Sequence, residues 1–163
     1  MIAESDLPYL KRCVELAREA LDAGDEPFGS VLVSAQGEIL FEDRNRVAGG
    51  DHTRHPEFEI ARWAATHLSP ADRAATTVYT SGEHCPMCAA AHGWVGLGRI
   101  VYVSSSRQLI GWLNEMKAGL PPVRALPIQD IVPTVPVAGP VPGLAEEVRA
   151  LHERRHAQRG RSA

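Results

Sequence analysis

The first stretch of the chain repeats apolar residues at helical spacing. The apolar positions are Leu7, Leu10, Val14, Ala17 and Leu21. Because they share one face, the pattern predicts an amphipathic helix over residues 5–23, which Gly24 ends. Short apolar runs over residues 31–33 and 39–41 then flank a turn that contains Gly37. These two runs predict a β-hairpin.

The rest of the chain alternates between the two kinds of element. Helices are predicted over residues 56–67, 85–94, 106–117 and 143–156, and strands over residues 76–80, 100–103 and 128–132. Alternation of this kind builds a layered sheet with helices on both faces. We therefore expect an α/β fold with a central sheet of about five strands.

Composition excludes some classes of protein. The 163 residues fit one domain, and an apolar share of 44% with a charged share of 23% is ordinary for a globular protein. No apolar run reaches the roughly 20 residues that a membrane span needs. The opening segment also lacks the apolar core of a signal peptide. We therefore expect a single domain over residues 1–163, in the cytoplasm and without membrane contact.

Charge argues against a nucleic-acid partner. The net charge is −3, whereas nucleic-acid-binding proteins usually carry a basic surface. The exception is the end of the chain, which contains Arg149, Arg154, Arg155, Arg159 and Arg161. We interpret this stretch as a solvated helix followed by a mobile tail over residues 157–163.

Two short motifs carry the candidate chemistry, and both fall at the starts of predicted helices. They are His55-Pro56-Glu57 and Cys85-Pro86-Met87-Cys88. A disulfide framework would need an even, dispersed set of cysteines, so this pair is better explained as metal-ligating thiolates. The positive end of a helix lowers thiol pKa values there, and His55 adds a nitrogen. Three protein ligands leave the fourth position of a zinc ion to water or hydroxide, as in catalytic sites.

Glu57 is two positions beyond the histidine and is the expected proton carrier. It is placed to take a proton from the activated water and to return it to the leaving group. A His-x-Glu motif followed by a Cys-x-x-Cys motif is the signature of zinc nucleobase deaminases. The alternative is a closed structural zinc, which would need a fourth ligand from His52, His84 or His92.

At these motifs the chain resembles the cytidine deaminase superfamily, and within it the small bacterial guanine deaminases, cytosine deaminases and tRNA-specific adenosine deaminases. The resemblance covers residues 7–103. It is carried by Pro27-Phe28-Gly29-Ser30-Val31, Asn45, His55-Pro56-Glu57 and residues 80–88. It implies a three-layer α/β/α fold, one zinc ion per chain and a homodimer. The chain departs from the family at Pro56, where alanine is common, and at His84, where proline usually precedes the first cysteine.

The resemblance also suggests where a substrate binds. Asn45 falls where family members hold the base or sugar, and Phe28 falls where an apolar residue lines the pocket. His84 would place an imidazole beside the metal, as a substrate contact or a fourth ligand. Trp112 and Glu115 follow a strand and are further candidates to contact a base, with core packing and a solvated surface as their alternatives.

These observations lead us to expect a zinc-dependent deaminase that releases ammonia from a free base or nucleoside. A guanine- or cytosine-like ring is the favoured substrate, with an aminotriazine also allowed. The alternatives are a tRNA-specific adenosine deaminase and a non-catalytic binding module with a structural zinc. Residues 104–156 are expected to shape substrate choice, as this segment does in the family, and Trp94 is expected to pack in the core.

Overall fold

The computed structural model describes residues 1–161 of the chain. The helices are α1 (Leu7–Asp22), α2 (Pro56–His67), α3 (Pro70–Ala74), α4 (Pro86–Val95), α5 (Ser106–Glu115), α6 (Ile128–Ile131) and α7 (Pro142–Arg161). The strands are β1 (Gly29–Val33), β2 (Ile39–Arg44), β3 (Thr77–Gly82), β4 (Arg99–Ser104) and β5 (Val137–Ala138). Short 3₁₀ turns cover Glu4–Asp6 and Val47–Gly49. The predicted hairpin and both motif helices are therefore present.

The five strands form one mixed sheet in the order β2-β1-β3-β4-β5. β1 runs antiparallel to both of its neighbours, β2 and β3, whereas β3, β4 and β5 are parallel. The parallel strands β3 and β4 are joined through α4, as a crossover connection requires. The prediction of about five strands is confirmed.

Alternate residues of the central strands enter different hydrophobic cores. Val31 and Val33 of β1 face one core, whereas Leu32 faces the other. The first core is covered by α1, α5 and α7, and the second by α2 and α4. The predicted three-layer α/β/α fold is therefore confirmed.

The proline-rich segment differs from its prediction. Residues 128–132 were expected to form a strand, but Ile128–Ile131 is a helical turn, α6, and the fifth strand is the two-residue β5. Pro127 lies just before α6, and the backbone N–H of Ile128 donates to a carboxylate oxygen of Glu83 at 3.1 Å. Because Ile128 is also buried against Ala89 of α4, tertiary contacts outweigh the β-branched composition of this run.

The last helix is longer than predicted. α7 continues to Arg161, five positions beyond residue 156. Residues 162 and 163 of the expected mobile tail lie outside the described part of the chain, and the tail's mobility stays a prediction. Within residues 1–161 no helix combines the length and the apolar character that crossing a membrane requires.

Candidate active site

The two motifs meet where α2 and α4 begin. His55 and Cys85 are the residues just before the first turns of these helices, and both have extended backbone torsions. Pro56 and Pro86 occupy the first helical position, where proline's fixed φ suits the helix and its missing N–H is not needed. Because α2 packs against α4, the two helix starts lie side by side.

The candidate metal ligands form a nearly equilateral triangle. Nδ1 of His55 lies 3.6 Å from Sγ of Cys85 and 3.6 Å from Sγ of Cys88, and the two sulfurs are 3.6 Å apart. Tetrahedral zinc with its usual bond lengths needs sulfurs about 3.8 Å apart, with the nitrogen about 3.6 Å from each. The three atoms therefore fit zinc. Within residues 1–161 no fourth histidine, cysteine or carboxylate joins this group, which fits a catalytic site better than a closed structural one.

The pKa values of the three candidate ligands are shifted in different directions. The hydrogen bond with Cys88 lowers the pKa of Cys85 to about 4, while the same bond, together with burial, raises the pKa of Cys88. Burial alone would lower the pKa of His55, but its hydrogen bond with Cys85 and the charge of Glu57 raise it to about 8. The lowered pKa of Cys85 favours its thiolate, which is the form that binds a metal ion.

Glu57 lies in the first turn of α2, beside this triangle, and is only 6% exposed. Its Oε1 is 3.0 Å from Oγ of Ser30 and 2.7 Å from Oγ1 of Thr80, and the two hydroxyl oxygens are 2.9 Å apart. Its Oε2 is 3.9 Å from Sγ of Cys88. Burial raises the pKa of Glu57. One carboxylate oxygen is thus held by strand hydroxyls while the other lies near the metal ligands, an arrangement suited to carrying a proton.

Phe28 and Asn45 lie together at the start of β1 and the end of β2. The backbone N–H of Asn45 donates to the carbonyl of Phe28 at 3.0 Å. The side-chain Oδ1 of Asn45 accepts from the backbone N–H groups of Glu26 and Val47 at 3.3 and 3.2 Å. Its NH₂ group is therefore the part left to contact a ligand. The Phe28 ring lies across Gly82, where a Cβ would come within 2.9 Å of it.

His84 is buried, but the structure does not bring it into the metal-ligand group. Its ring packs edge-on against His92, with ring centroids 5.4 Å apart, and neither of its ring nitrogens has a hydrogen-bond partner in the described chain. His92 is held by a 2.8 Å hydrogen bond between Nε2 and the carbonyl of Gly98. The fourth-ligand role that the sequence allowed for His84 therefore has no geometric support.

The two candidates on α5 have different surroundings. Trp112 is buried in the core shared with α1 and α7, and its ring lies 6.1 Å from that of His152. Glu115 is exposed and forms a 2.9 Å ion pair with Arg149 of α7. Glu115 thus occupies the surface position that was its alternative, and substrate contact by either residue stays a prediction.

Trp94 is not in the core. Its side chain is 92% exposed near the end of α4, so the expectation of core packing is wrong. α4 contains Ala89, Ala90, Ala91 and Val95 as well, and such an apolar helix has no polar face to mark which side is exposed.

Residues 83–85 form the cysteine loop between β3 and α4, and Glu83 connects this loop to the C-terminal part of the chain. Its Oε2 accepts from the backbone N–H of Ser106 at 2.8 Å, and its Oε1 accepts from that of Ile128 at 3.1 Å. These are the first residues of α5 and α6. The first N–H groups of a helix have no intrahelical partners, and one carboxylate supplies a hydrogen-bond acceptor to such a group in each of these two helices. Cys85 is two residues further along, so the loop that carries it is linked to both helices.

Sequence reasoning gave no roles to Ser30, Thr80, Glu83 or His152. Ser30 is the one hydroxyl residue in β1, which is otherwise apolar, and this is a signal that a buried polar partner is nearby. β3 contains Thr77 and Ser81 as well as Thr80, so its sequence does not single out Thr80. His152 lies four positions after Val148, on the buried face of α7. A histidine among core positions is the pattern that would have marked it.

Comparison with known proteins shows which family contains the motifs of this site. Residues 3–104 match the family model of the cytidine and deoxycytidylate deaminase zinc-binding region. The chain is 32% identical over 122 residues to a probable cytosine deaminase of Schizosaccharomyces pombe, covering 75% of this chain and 74% of the relative. It is 38% identical over 98 residues to a guanine deaminase of Bacillus subtilis, covering 59% of this chain and 62% of the relative. Its fold is similar to that of a guanine deaminase from Nitrosomonas europaea, with a TM-score of 0.70 and 19% identity, over 96% of this chain and 86% of that one.

Proposed function

The chain belongs to the cytidine and deoxycytidylate deaminase family defined by this zinc-binding region, and from that premise we propose that it deaminates a free base or its nucleoside. We further propose a guanine- or cytosine-like ring as its preferred substrate, with release of ammonia from the exocyclic amine. The observation that carries the proposal is the triangle of His55, Cys85 and Cys88 with the Glu57 carboxylate 3.9 Å from one of its sulfurs. The activities for which the two sequence relatives are named support this class of ring.

In the proposed reaction each group of residues has a separate role. His55, Cys85 and Cys88 would hold zinc, which when bound supplies Lewis-acid activation of water. Glu57 accepts a proton from the attacking water and gives it to the amine nitrogen as ammonia leaves. Ser30 and Thr80 hold Oε1 of Glu57, so that the proton is exchanged at Oε2.

Electrostatics supports a small substrate over tRNA. Arg154 pairs with Asp22 at 2.9 Å, and Arg149 pairs with Glu115 and Glu153 at the same distance. These arginines are partly neutralised within the chain, and the net charge is −3. Internal pairing of these arginines and a negative net charge both disfavour phosphate contacts, which dominate nucleic-acid affinity.

We also propose that the protein works as a homodimer in the cytoplasm. The 92% exposed Trp94 on α4 supports the dimer, because a large aromatic side chain in full contact with water is unusual on a monomer and aromatic residues are enriched at interfaces. The mass of the purified protein in solution tests this part of the proposal, and a monomer that retains full activity would contradict it.

Ammonia release from a panel of bases and nucleosides tests the function. The panel contains guanine, cytosine, isocytosine, adenine, aminotriazines, cytidine, guanosine and adenosine, each with the wild type and with Glu57→Ala. Turnover of at least one free base or nucleoside by the wild type, lost in the variant while zinc stays bound, is the expected result. Silence across the panel from zinc-loaded protein, with tight and salt-sensitive binding of an anticodon stem-loop, would instead favour the tRNA alternative.

A further inference from the structure

His152 of α7 has a buried ring nitrogen with nothing to bind. The residue is 7% exposed, and its Nε2 has no hydrogen-bond partner in the described chain. Burial lowers its pKa to about 4, so the ring is neutral at physiological pH. A buried polar atom without a partner is destabilising and rare, so one that persists needs a reason.

The surroundings of His152 are aromatic. Its ring lies edge-on to Phe28, with ring centroids 5.1 Å apart and an interplanar angle of 66°, and it lies 6.1 Å from the ring of Trp112. Phe28 is only half-buried. Flat heteroaromatic rings bind between side chains of this kind, with a few polar atoms fixing their orientation.

Phe28 connects this aromatic cluster to the catalytic groups. Its ring lies on Gly82, which leaves no room there for a side chain. Oγ1 of Thr80 lies 2.9 Å from the carbonyl oxygen of Gly82 and 2.7 Å from Oε1 of Glu57. His152 is therefore separated from the proton carrier by a short series of direct contacts, although it lies almost a hundred positions away in sequence.

We propose that Nε2 of His152 hydrogen-bonds a polar atom on the edge of the substrate ring, which makes His152 a specificity-determining residue. The proposal rests on the proposed deamination of a base and adds the residue that selects among bases. A site that pairs with a given polar edge rejects rings that lack it, because its own buried group is then left without a partner. α7 thereby contributes directly to substrate choice.

Substitutions at residue 152 test the proposal with the base that the wild type prefers in the panel. His152→Phe keeps an aromatic ring of similar size but removes the nitrogen, and His152→Gln keeps a polar group. We expect His152→Phe to lower kcat/KM for the preferred base about 10- to 100-fold, the range for a lost hydrogen bond that leaves a group unpaired. The loss falls mainly on KM, and the ratio between the preferred base and the next one shrinks. His152→Gln recovers a large part of both, whereas His156→Phe, at an exposed position one turn further along the same helix, changes neither.

Binding of the preferred base to Glu57→Gln, measured by calorimetry with and without His152→Phe, gives a readout that needs no turnover. We expect the dissociation constant to rise by the same factor as KM. If His152→Phe is folded and keeps both kcat/KM and affinity within about twofold for every base, the proposal is wrong while the deaminase function stands. If the zinc-loaded wild type neither binds nor deaminates any member of the panel, the proposed function itself fails.

Discussion

Two buried ionisable side chains, Glu57 on α2 and His152 on α7, are held in opposite ways. Oε1 of Glu57 has two strand hydroxyls within 3.0 Å, whereas Nε2 of His152 has no partner in the described chain. Burial favours the neutral form of both, raising the pKa of Glu57 and lowering that of His152. The difference lies in their neighbours, since Glu57 meets hydroxyls and sulfurs while His152 meets Phe28 and Trp112.

This contrast separates two tasks within one site. The group that we propose to move the proton is oriented before any ligand arrives, as preorganised catalysis requires. The group that we propose to recognise the ring acquires its partner only with the ligand. The two lie in different parts of the chain, because Glu57 is within the family-matched residues 3–104 and His152 is outside them.

Removal of a proposed metal ligand should abolish both zinc binding and deamination. In Cys85→Ala only two ligands remain, so we expect bound zinc to fall from about one per chain to near zero and deamination to become undetectable. Metal analysis by mass spectrometry measures the first effect and ammonia release the second. Cys13→Ala is the matched control, because Cys13 is buried in the core of α1 outside the metal group. Full zinc content in Cys85→Ala would remove Cys85 from the ligand set.

Loss of the proposed proton carrier, Glu57, should remove most of the activity while leaving zinc bound. We expect Glu57→Gln to lower kcat about 10²- to 10⁴-fold, the usual contribution of general acid–base catalysis, with zinc content unchanged. Glu59→Gln is the control, since Glu59 lies two positions further on and pairs with Arg54 at 3.3 Å. A variant at residue 57 that retains more than half of the wild-type kcat would refute the assigned role.

The hydroxyl contacts of Glu57 can be removed one at a time to sharpen the comparison. Ser30→Ala and Thr80→Val each delete a partner of Oε1, and we expect each to lower kcat about 10-fold, since hydrogen bonds to charged groups contribute about 1.5–3 kcal/mol. The double variant should lose less than the product of the two single effects, because the hydroxyls also contact each other. Steady-state kinetics with the preferred base measures all three, and unchanged kcat in the single variants would show that the carboxylate needs no support.

The unpartnered histidine should make folding stability depend on pH. The pKa of His152 is about 4 in the folded chain and near 6.5 when unfolded. Between these values the unfolded chain binds the extra proton, so the free energy of unfolding falls as pH decreases from 6.5 to 4. The loss attributable to this residue approaches about 3 kcal/mol. Urea unfolding of the wild type and of His152→Phe at several pH values isolates it, and parallel curves would contradict the shift.

The smallest effect is expected at the surface contact between α5 and α7. Glu115→Ala removes the exposed ion pair with Arg149, and such pairs contribute about 0–1 kcal/mol. Thermal unfolding should therefore shift by at most a few degrees and kcat/KM should stay within twofold. A selective change in KM for one base would instead restore Glu115 as a substrate contact.

The parts that could be predicted from the sequence are those set by local patterns. The motif helices begin where His55-Pro56 and Cys85-Pro86 indicated, because proline at a first helical position is a local rule. Once both helices pack on one face of the sheet, the metal triangle follows. The supporting hydroxyls of Ser30 and Thr80 depend on the pairing of β1 with β3, which the two strands do not specify when each is considered alone.

The parts that could not be predicted depend on tertiary contacts. Residues 128–132 have the composition of a strand, whereas the contacts of Ile128 with the Glu83 carboxylate and with Ala89 belong to the tertiary structure and accompany a helical turn. Trp94 is in an apolar helix with no polar side to show which face is covered. The sequence pattern can mark His152 as buried, but its neighbour Phe28 comes from a distant part of the chain and is known only from the packing of α7.

The Glu83 carboxylate has a consequence for how such chains can be recombined. The Glu83 side chain accepts hydrogen bonds from the first N–H groups of α5 and α6. The cysteine loop is therefore attached to the C-terminal segment through two backbone donors of that segment. Nearly all residue types have a backbone N–H, so Glu83 can form the same two hydrogen bonds with any segment that places two helix starts at the same spacing. We therefore expect a chimera that keeps residues 1–105 and takes its remaining residues from a relative with another base preference to keep the cysteine loop in place. Its preference among bases should be that of the relative.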